Sequence, residues 1–217
     1  MVGSGDEGAA GSLSRGAVRV LVVATVGFTL MFAVWLMFGV LGVPIRDEFG
    51  LTDSQFAWLT SAAILNGSLW RLPAGLAADR WGGRTVSTAM LAFTAVPAFL
   101  VALTPADAGY GVLLLYAFLV GFAGNAFTSG VAWVSAWWPR ERQGLALGVF
   151  GAGNVGASVT KLIGPAMITA VPAAGLLGAN AALAVPPELA SAMDVFAVLF
   201  GVPVWGFAVL WIVLATQ

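Results

Sequence analysis

The stretch AGYGVLLLYAFLVGFAGNAFTSGVAWVSAWWP, residues 108–139, runs for 32 residues without a charged side chain. A helix needs about 20 apolar residues to cross roughly 30 Å of hydrocarbon. The apolar residues here are continuous and do not alternate, which favours a spanning helix over a barrel strand. Five other uncharged runs flank it, at 20–45, 54–70, 85–106, 143–160 and 195–217. The run at 54–70 reaches spanning length only by taking in Arg71 and continuing to Ala78, and the one at 143–160 by running on toward Lys161 and Pro165. The expectation is an all-α membrane protein of six transmembrane helices, at about 18–43, 54–78, 85–105, 110–138, 143–168 and 195–216.

Composition agrees. Hydrophobic residues make up 60% of the 217, and charged residues only 9%, where soluble domains carry about 25%. The first run is too long for the core of a cleaved signal peptide, and no small-x-small cleavage site follows it. Nine Lys+Arg nearly balance ten Asp+Glu, so no bulk charge recruits nucleic acid. Without Cys there are no disulfides or thiolate nucleophiles, and without His the usual general base and commonest metal ligand are missing. No cofactor or metal is expected.

Basic residues set the orientation. Arg15 and Arg19 precede the first run, Arg80 and Arg84 lie between the second and third, and Arg140 and Arg142 between the fourth and fifth. The opposite side has only Arg46. The positive-inside rule then puts both termini in the cytoplasm of a multi-pass protein of the cell membrane. Residues 1–17 read as a disordered cytoplasmic N-terminus and 18–217 as one transmembrane domain. The Ala/Gly/Pro-rich stretch at 173–193 reads as an outer loop.

Arg71 is a charge inside a span, which marks a functional site by default. It lies eight residues before Asp79, about 12 Å into the membrane from that end. No span carries an Asp or Glu well inside it. A permanently charged guanidinium without a carboxylate suits a planar oxyanion, held by two parallel hydrogen bonds; the bland alternative is an Arg facing water or backbone carbonyls. Asn154 and Phe127 fall about 16 Å deep on the fifth and fourth spans. Asn154 reads either as a site residue or as an interhelical hydrogen bond, and Phe127 as a site residue or ordinary packing. Lys161 approaches the outer face, where it snorkels or assists ion access. Gly121, Gly124 and Gly130 on the fourth span, and Gly144/Gly148 and Ala152/Gly156 on the fifth, permit close helix approach. Asn125 and Asn154 beside them would be costly against lipid.

The loop after the second span reads Gly75-Leu-Ala-Ala-Asp79-Arg80-Trp-Gly82-Gly83-Arg84. It resembles the signature of the major facilitator superfamily at Gly75, Asp79, Arg80, Gly82 and Arg84, with Gly83 where that family usually has a basic residue. Gly121-Phe-Ala-Gly124-Asn125-Ala-Phe127, Trp137-Trp-Pro139-Arg-Glu-Arg-Gln143-Gly144 and Gly151-Ala-Gly153-Asn154-Val-Gly156 are similar to the nitrate/nitrite porter family, as is Asn66-Gly-Ser-Leu-Trp-Arg71-Leu-Pro73-Ala-Gly75. The likeness runs from the first span to the sixth. It implies a role in nitrate or nitrite transport, with Arg71 binding the anion, Phe127 packing on it, and Asn154 with Gly153 and Asn125 completing the site. It also implies a gating charge cluster of Asp79, Arg80, Arg84, Arg140 and Arg142. Such transporters have twelve helices in two halves that rock about a midplane site, so this chain is expected to be the N-terminal half.

Three alternatives stand beside that reading: a half-transporter for another small anion, a non-transporting truncated or assembly subunit, and an enzyme. The enzyme would need a Ser–Lys pair, and Lys161 lies too near the outer face to activate a mid-membrane Ser. The expected partners are the anion, the bilayer, and either a C-terminal six-helix half or a second copy of this chain.

Overall fold

A computed structural model describes residues 14–39, 45–47, 49–102, 104 and 108–170. The outer loop at 173–193, the sixth expected span and the N-terminal tail up to residue 13 lie outside the described residues. The rest is helical: α1 (Arg15–Trp35), α2 (Asp53–Leu69), α3 (Arg71–Trp81), α4 (Gly83–Ala102), α5 (Tyr110–Val120), α6 (Ala126–Trp137), α7 (Gln143–Gly151) and α8 (Val155–Ala170). Three helical runs, Arg15–Trp35, Tyr110–Trp137 and Arg140–Leu162, are long and apolar enough to cross a membrane by length and composition. The chain is an all-α integral membrane protein.

Local sequence sets the ends. Ser14 caps α1 by accepting the Ala17 N–H at 3.1 Å. Thr52 and Gln55 form a reciprocal capping box at α2. Gly82, at φ +83°, makes the one-residue turn from α3 to α4, a conformation that costs glycine least.

Helices lie at the first five of the six expected spans, and the second, fourth and fifth are interrupted where one continuous helix was expected. The second span divides at Trp70 into α2 and α3. Its physical cause is Pro73, which has no N–H to offer the Leu69 carbonyl one turn back. The fourth tightens into a 3-10 turn at Gly121–Asn125, and the fifth at Ala152–Asn154. In the first, α1 ends at Trp35 in a turn at 36–37, helix resumes at 38–39, and residues 40–44 of the expected span lie outside the described residues.

The fourth span (α5 and α6) is the hub, packing against all four others: α5 lies along α2, α6 along α1, α4 against both halves, and α7 against α6. The first span also packs on α7 and α8. Glycines set the closest approaches. A Cβ on Gly121 would come 2.3 Å from the Ala63 carbonyl oxygen, one on Gly130 2.3 Å from the Phe150 ring, and one on Gly156 2.1 Å from the Thr29 carbonyl oxygen. The small-residue reading is thus right for those three. At Gly144 and Gly148 an added Cβ would meet nothing within 4 Å among the described residues, because that side of α7 faces away from the described helices.

Contacts at the end that carries the basic loops bind the helices together. The Trp138 indole N–H donates to the Ala17 carbonyl at 3.1 Å. The Gln143 amide donates to the carbonyls of Ser135 and Trp138 at 2.9 and 3.2 Å, closing the loop that carries Arg140 and Arg142.

Gly121→Ala should separate the second and fourth spans and cost about 1–3 kcal/mol, seen as a lower thermal midpoint in detergent. Gly144→Ala should be neutral or slightly stabilising, because alanine is the better helix former.

Candidate functional site

Hydrocarbon cannot solvate the backbone carbonyls beside such interruptions. In all three a nearby side chain supplies an N–H. Arg71 Nε donates to the Gly67 carbonyl at 3.1 Å. Asn125 Nδ2 donates to Phe122 at 3.0 Å, and Asn154 Nδ2 to Gly151 at 2.9 Å. The intramembrane polar residues singled out by sequence are the residues that make these breaks tolerable.

Arg71 opens α3 and reaches back one turn toward α2, in the direction helical side chains point. Its guanidinium therefore sits about 5 Å deeper than its Cα. Its Cζ lies 5.8 Å from the Trp35 ring centroid, and it has no carboxylate partner among the described residues. Arg71 is exposed among the described residues, because its side of α3 is not covered by any described helix.

Phe127 is 40% exposed. Its ring packs 5.4 Å from Phe28 and 5.8 Å from Phe150. Phe28 continues to Phe32 at 5.3 Å, and Phe32 to Trp35 at 5.2 Å. An aromatic ladder on α1 thus runs between Phe127 and Arg71. Asn154 is exposed on the far side of α1, and the adjacent Gly153 is buried, with room for no Cβ because Phe28 would lie 2.5 Å away. Arg71, Phe127 and Asn154 therefore border the same first span on three helices without touching one another.

Two expected site residues are placed elsewhere. Asn125 is completely buried within its 3-10 turn, and its Oδ1 has no partner among the described residues. It supports the backbone and does not reach the surface that Arg71 shares. Gly153 likewise serves close packing on α1.

Sequence reading missed two polar stripes. On α2 and α3, Ser54, Ser61, Ser68 and Arg71 are exposed along one side, while Trp58, Leu65, Leu69, Leu72 and Leu76 are exposed along another. On the fifth span Asn154, Ser158 and Lys161 are exposed at helical spacing. The signal was present in the serines at 54, 61 and 68, seven apart, which place them on one helix face. An apolar groove of about 930 Å³ between the second, third and fourth spans, lined by Trp70, Phe93, Phe118 and Phe122, includes neither Arg71 nor Phe127.

At the turn between α3 and α4, Asp79 and Arg80 are exposed at the end of α3. Gly75 lies against α6, where a Cβ would come 3.2 Å from Thr128 Cγ2. Gly83 has a plain steric cause: a Cβ there would meet Trp133 Cβ at 2.3 Å and the Ser129 carbonyl oxygen at 2.9 Å. No basic side chain fits this position in this packing.

Residues 23–186 match the Major Facilitator Superfamily; the match ends before the sixth expected span. The chain is 68% identical over 161 residues to the probable nitrate/nitrite antiporter NarK1 of Thermus thermophilus, covering 74% of this chain and 36% of that protein. It is 35% identical over 156 residues to the nitrate/nitrite transporter NarU of Escherichia coli K12 (70% and 33% covered). It is 29% identical over 154 residues to the probable nitrate/nitrite transporter NarK2 of Mycobacterium tuberculosis (71% and 39% covered). The chain spans little more than a third of the length of these relatives. With the signature turn, the interrupted glycine-rich spans and these matches together, the chain belongs to the major facilitator superfamily and, within it, to the nitrate/nitrite porter family.

Proposed function

We propose that this chain supplies the N-terminal half of a nitrate/nitrite transporter that works by alternating access. The observation that carries the reading is Arg71: a permanent cation at the break of a membrane span, on an exposed polar stripe, with no carboxylate partner among the described residues. Such a group attracts an anion, and its planar fork suits a trigonal one. The relatives named above are transporters or antiporters of nitrate and nitrite, which supports that choice of anion.

In this reading Arg71 is the anion ligand, Phe127 offers a flat wall to a flat substrate, and Asn154 presents an amide from the fifth span. Ser158 and Lys161 extend the polar stripe outward from Asn154, which favours the ion-access role for Lys161. Asn125 and Gly153 hold the backbone that carries them. Residues 18–217 form the six-helix half, both termini are cytoplasmic, and a C-terminal six-helix half, on the same or a separate polypeptide, covers the exposed polar face. Two copies of this chain would instead set two Arg71 guanidinium groups against each other without a carboxylate, which repel unless an anion lies between them. The exposed charges Asp79, Arg80, Arg140 and Arg142, with Arg84, lie where the cytoplasmic side would close, and Gly75 and Gly82 let that turn pack and reverse.

Arg71→Lys in the assembled transporter should raise the apparent KM for nitrate about ten- to hundredfold, since a charged hydrogen-bonding fork contributes about 1.5–3 kcal/mol. Nitrate uptake at the wild-type KM would remove Arg71 from the site.

Asp79→Asn should slow uptake while leaving equilibrium nitrate binding within about twofold, because it shifts the balance of open and closed states about 12 Å from the site. Equal loss of both would point to misfolding.

Liposomes holding this chain alone should show no saturable nitrate uptake, and addition of the C-terminal half should restore it. Robust uptake by the chain alone would favour the two-copy assembly.

A further inference from the structure

Trp35 has been given no role so far, yet three spans converge on it. Its indole N–H donates to the Ala63 carbonyl on α2 at 3.0 Å. Its ring occupies a slot between α2 and the 3-10 turn of the fourth span. A Cβ on Gly67 would lie 2.7 Å from Nε1, and one on Gly124 2.7 Å from Cε2, so both walls must be glycine. Phe32 meets the ring edge-on at 5.2 Å and 64°. With the side chain only 8% exposed, Trp35 has no other place to go. Over this fixed ring stands the Arg71 guanidinium, at 5.8 Å.

The guanidinium is thus held from two directions. Gly67, the residue whose missing side chain admits the indole, also gives its carbonyl to Arg71 Nε at 3.1 Å. That bond uses the inner edge of the guanidinium. The aromatic face stabilises the cation by its quadrupole without using any N–H. The outer pair of nitrogens keeps its donors for a ligand, and the fork is prevented from swinging toward the membrane surface, as a long Arg side chain otherwise would.

We propose that Trp35 is the positioning residue of the anion site: wedged between Gly67 and Gly124 and anchored to Ala63, it supports the Arg71 guanidinium so that its outer edge faces the anion. This rests on the assignment of Arg71 as the anion ligand. Preorganisation of this kind acts on affinity, because a ligand then need not order the side chain itself.

The test uses the complete transporter that contains this chain, with Trp35→Phe and Trp35→Leu. Phe keeps a smaller aromatic face and loses the N–H anchor; Leu loses both. The KM for nitrate should rise about threefold to thirtyfold in Trp35→Leu, the range of a cation–π contact from partly to fully desolvated. Trp35→Phe should fall between, and maximal uptake should change less than KM in both. A role in packing alone would lower the thermal midpoint or the amount of folded protein and leave KM at its wild-type value; that result would overturn the proposal.

A second readout is independent of nitrate. In ¹⁵N-arginine-labelled protein, the Arg71 Nε–H resonance, assigned by its loss in Arg71→Lys, should move when the ring beneath it is removed in Trp35→Leu. An unmoved resonance overturns the positioning role even if nitrate is transported. A moved resonance in a protein whose wild type takes up no nitrate upholds the geometry and overturns the choice of anion.

Discussion

A backbone carbonyl released inside a membrane has no water to turn to, and leaving it bare costs several kcal/mol. Much of the functional surface of this chain follows from that constraint. The second, fourth and fifth spans each depart from regular α-helix near the middle of the bilayer, and each departure is tolerated because a side-chain N–H reaches a carbonyl three or four residues back. Arg71 and Asn154 then keep polar atoms to spare on the exposed side, whereas Asn125 is turned inward. The same bonds leave two of the three spans with a hydrogen-bonding group on the exposed side. Non-helical backbone at membrane depth is expected where it lines a cavity or is buried in protein.

Much of the fold was legible in the sequence because charges are so few. Five described spans appear where uncharged runs were read, and the basic loops fall at the turns expected. The helix breaks were less legible. Pro73 is a visible signal, but Pro97 also lies inside a helix and α4 runs through it unbroken. What distinguishes them is the surroundings: beside the break in the second span stands a side-chain donor, Arg71, bonded to the Gly67 carbonyl. The 3-10 turns carry no proline at all. They follow from glycines pressed against neighbouring helices, and a pressed glycine cannot be told in sequence from an idle one such as Gly144.

The site was legible in depth and not in direction. Counting residues from the loops put Arg71, Phe127 and Asn154 near one layer, and the structure sets all three around the first span. The resemblance put Asn125 among the site residues, although it lies inside the bundle, because a motif says nothing of which face a residue occupies. Trp35 was passed over because a tryptophan in an apolar span is ordinary. Its importance arises from Gly67 and Gly124, 32 and 89 residues further on, and only folding brings those two together. Gly83 makes the converse point: a departure from the family pattern that looked like a weakened charge cluster is a steric requirement set by Trp133 and Ser129.

The bond between the Trp138 indole and the Ala17 carbonyl ties together residues 121 positions apart. A ribosome adding about 5–20 residues each second needs roughly 6–24 s to cover that distance. For that interval the first span is already made while its anchor does not yet exist. During synthesis it must be retained by lipid and the insertion machinery alone, with Gly16, against which Trp137 later packs, uncovered. The fourth span, which touches all the other described spans, is thus also the element whose arrival turns a set of inserted helices into a bundle.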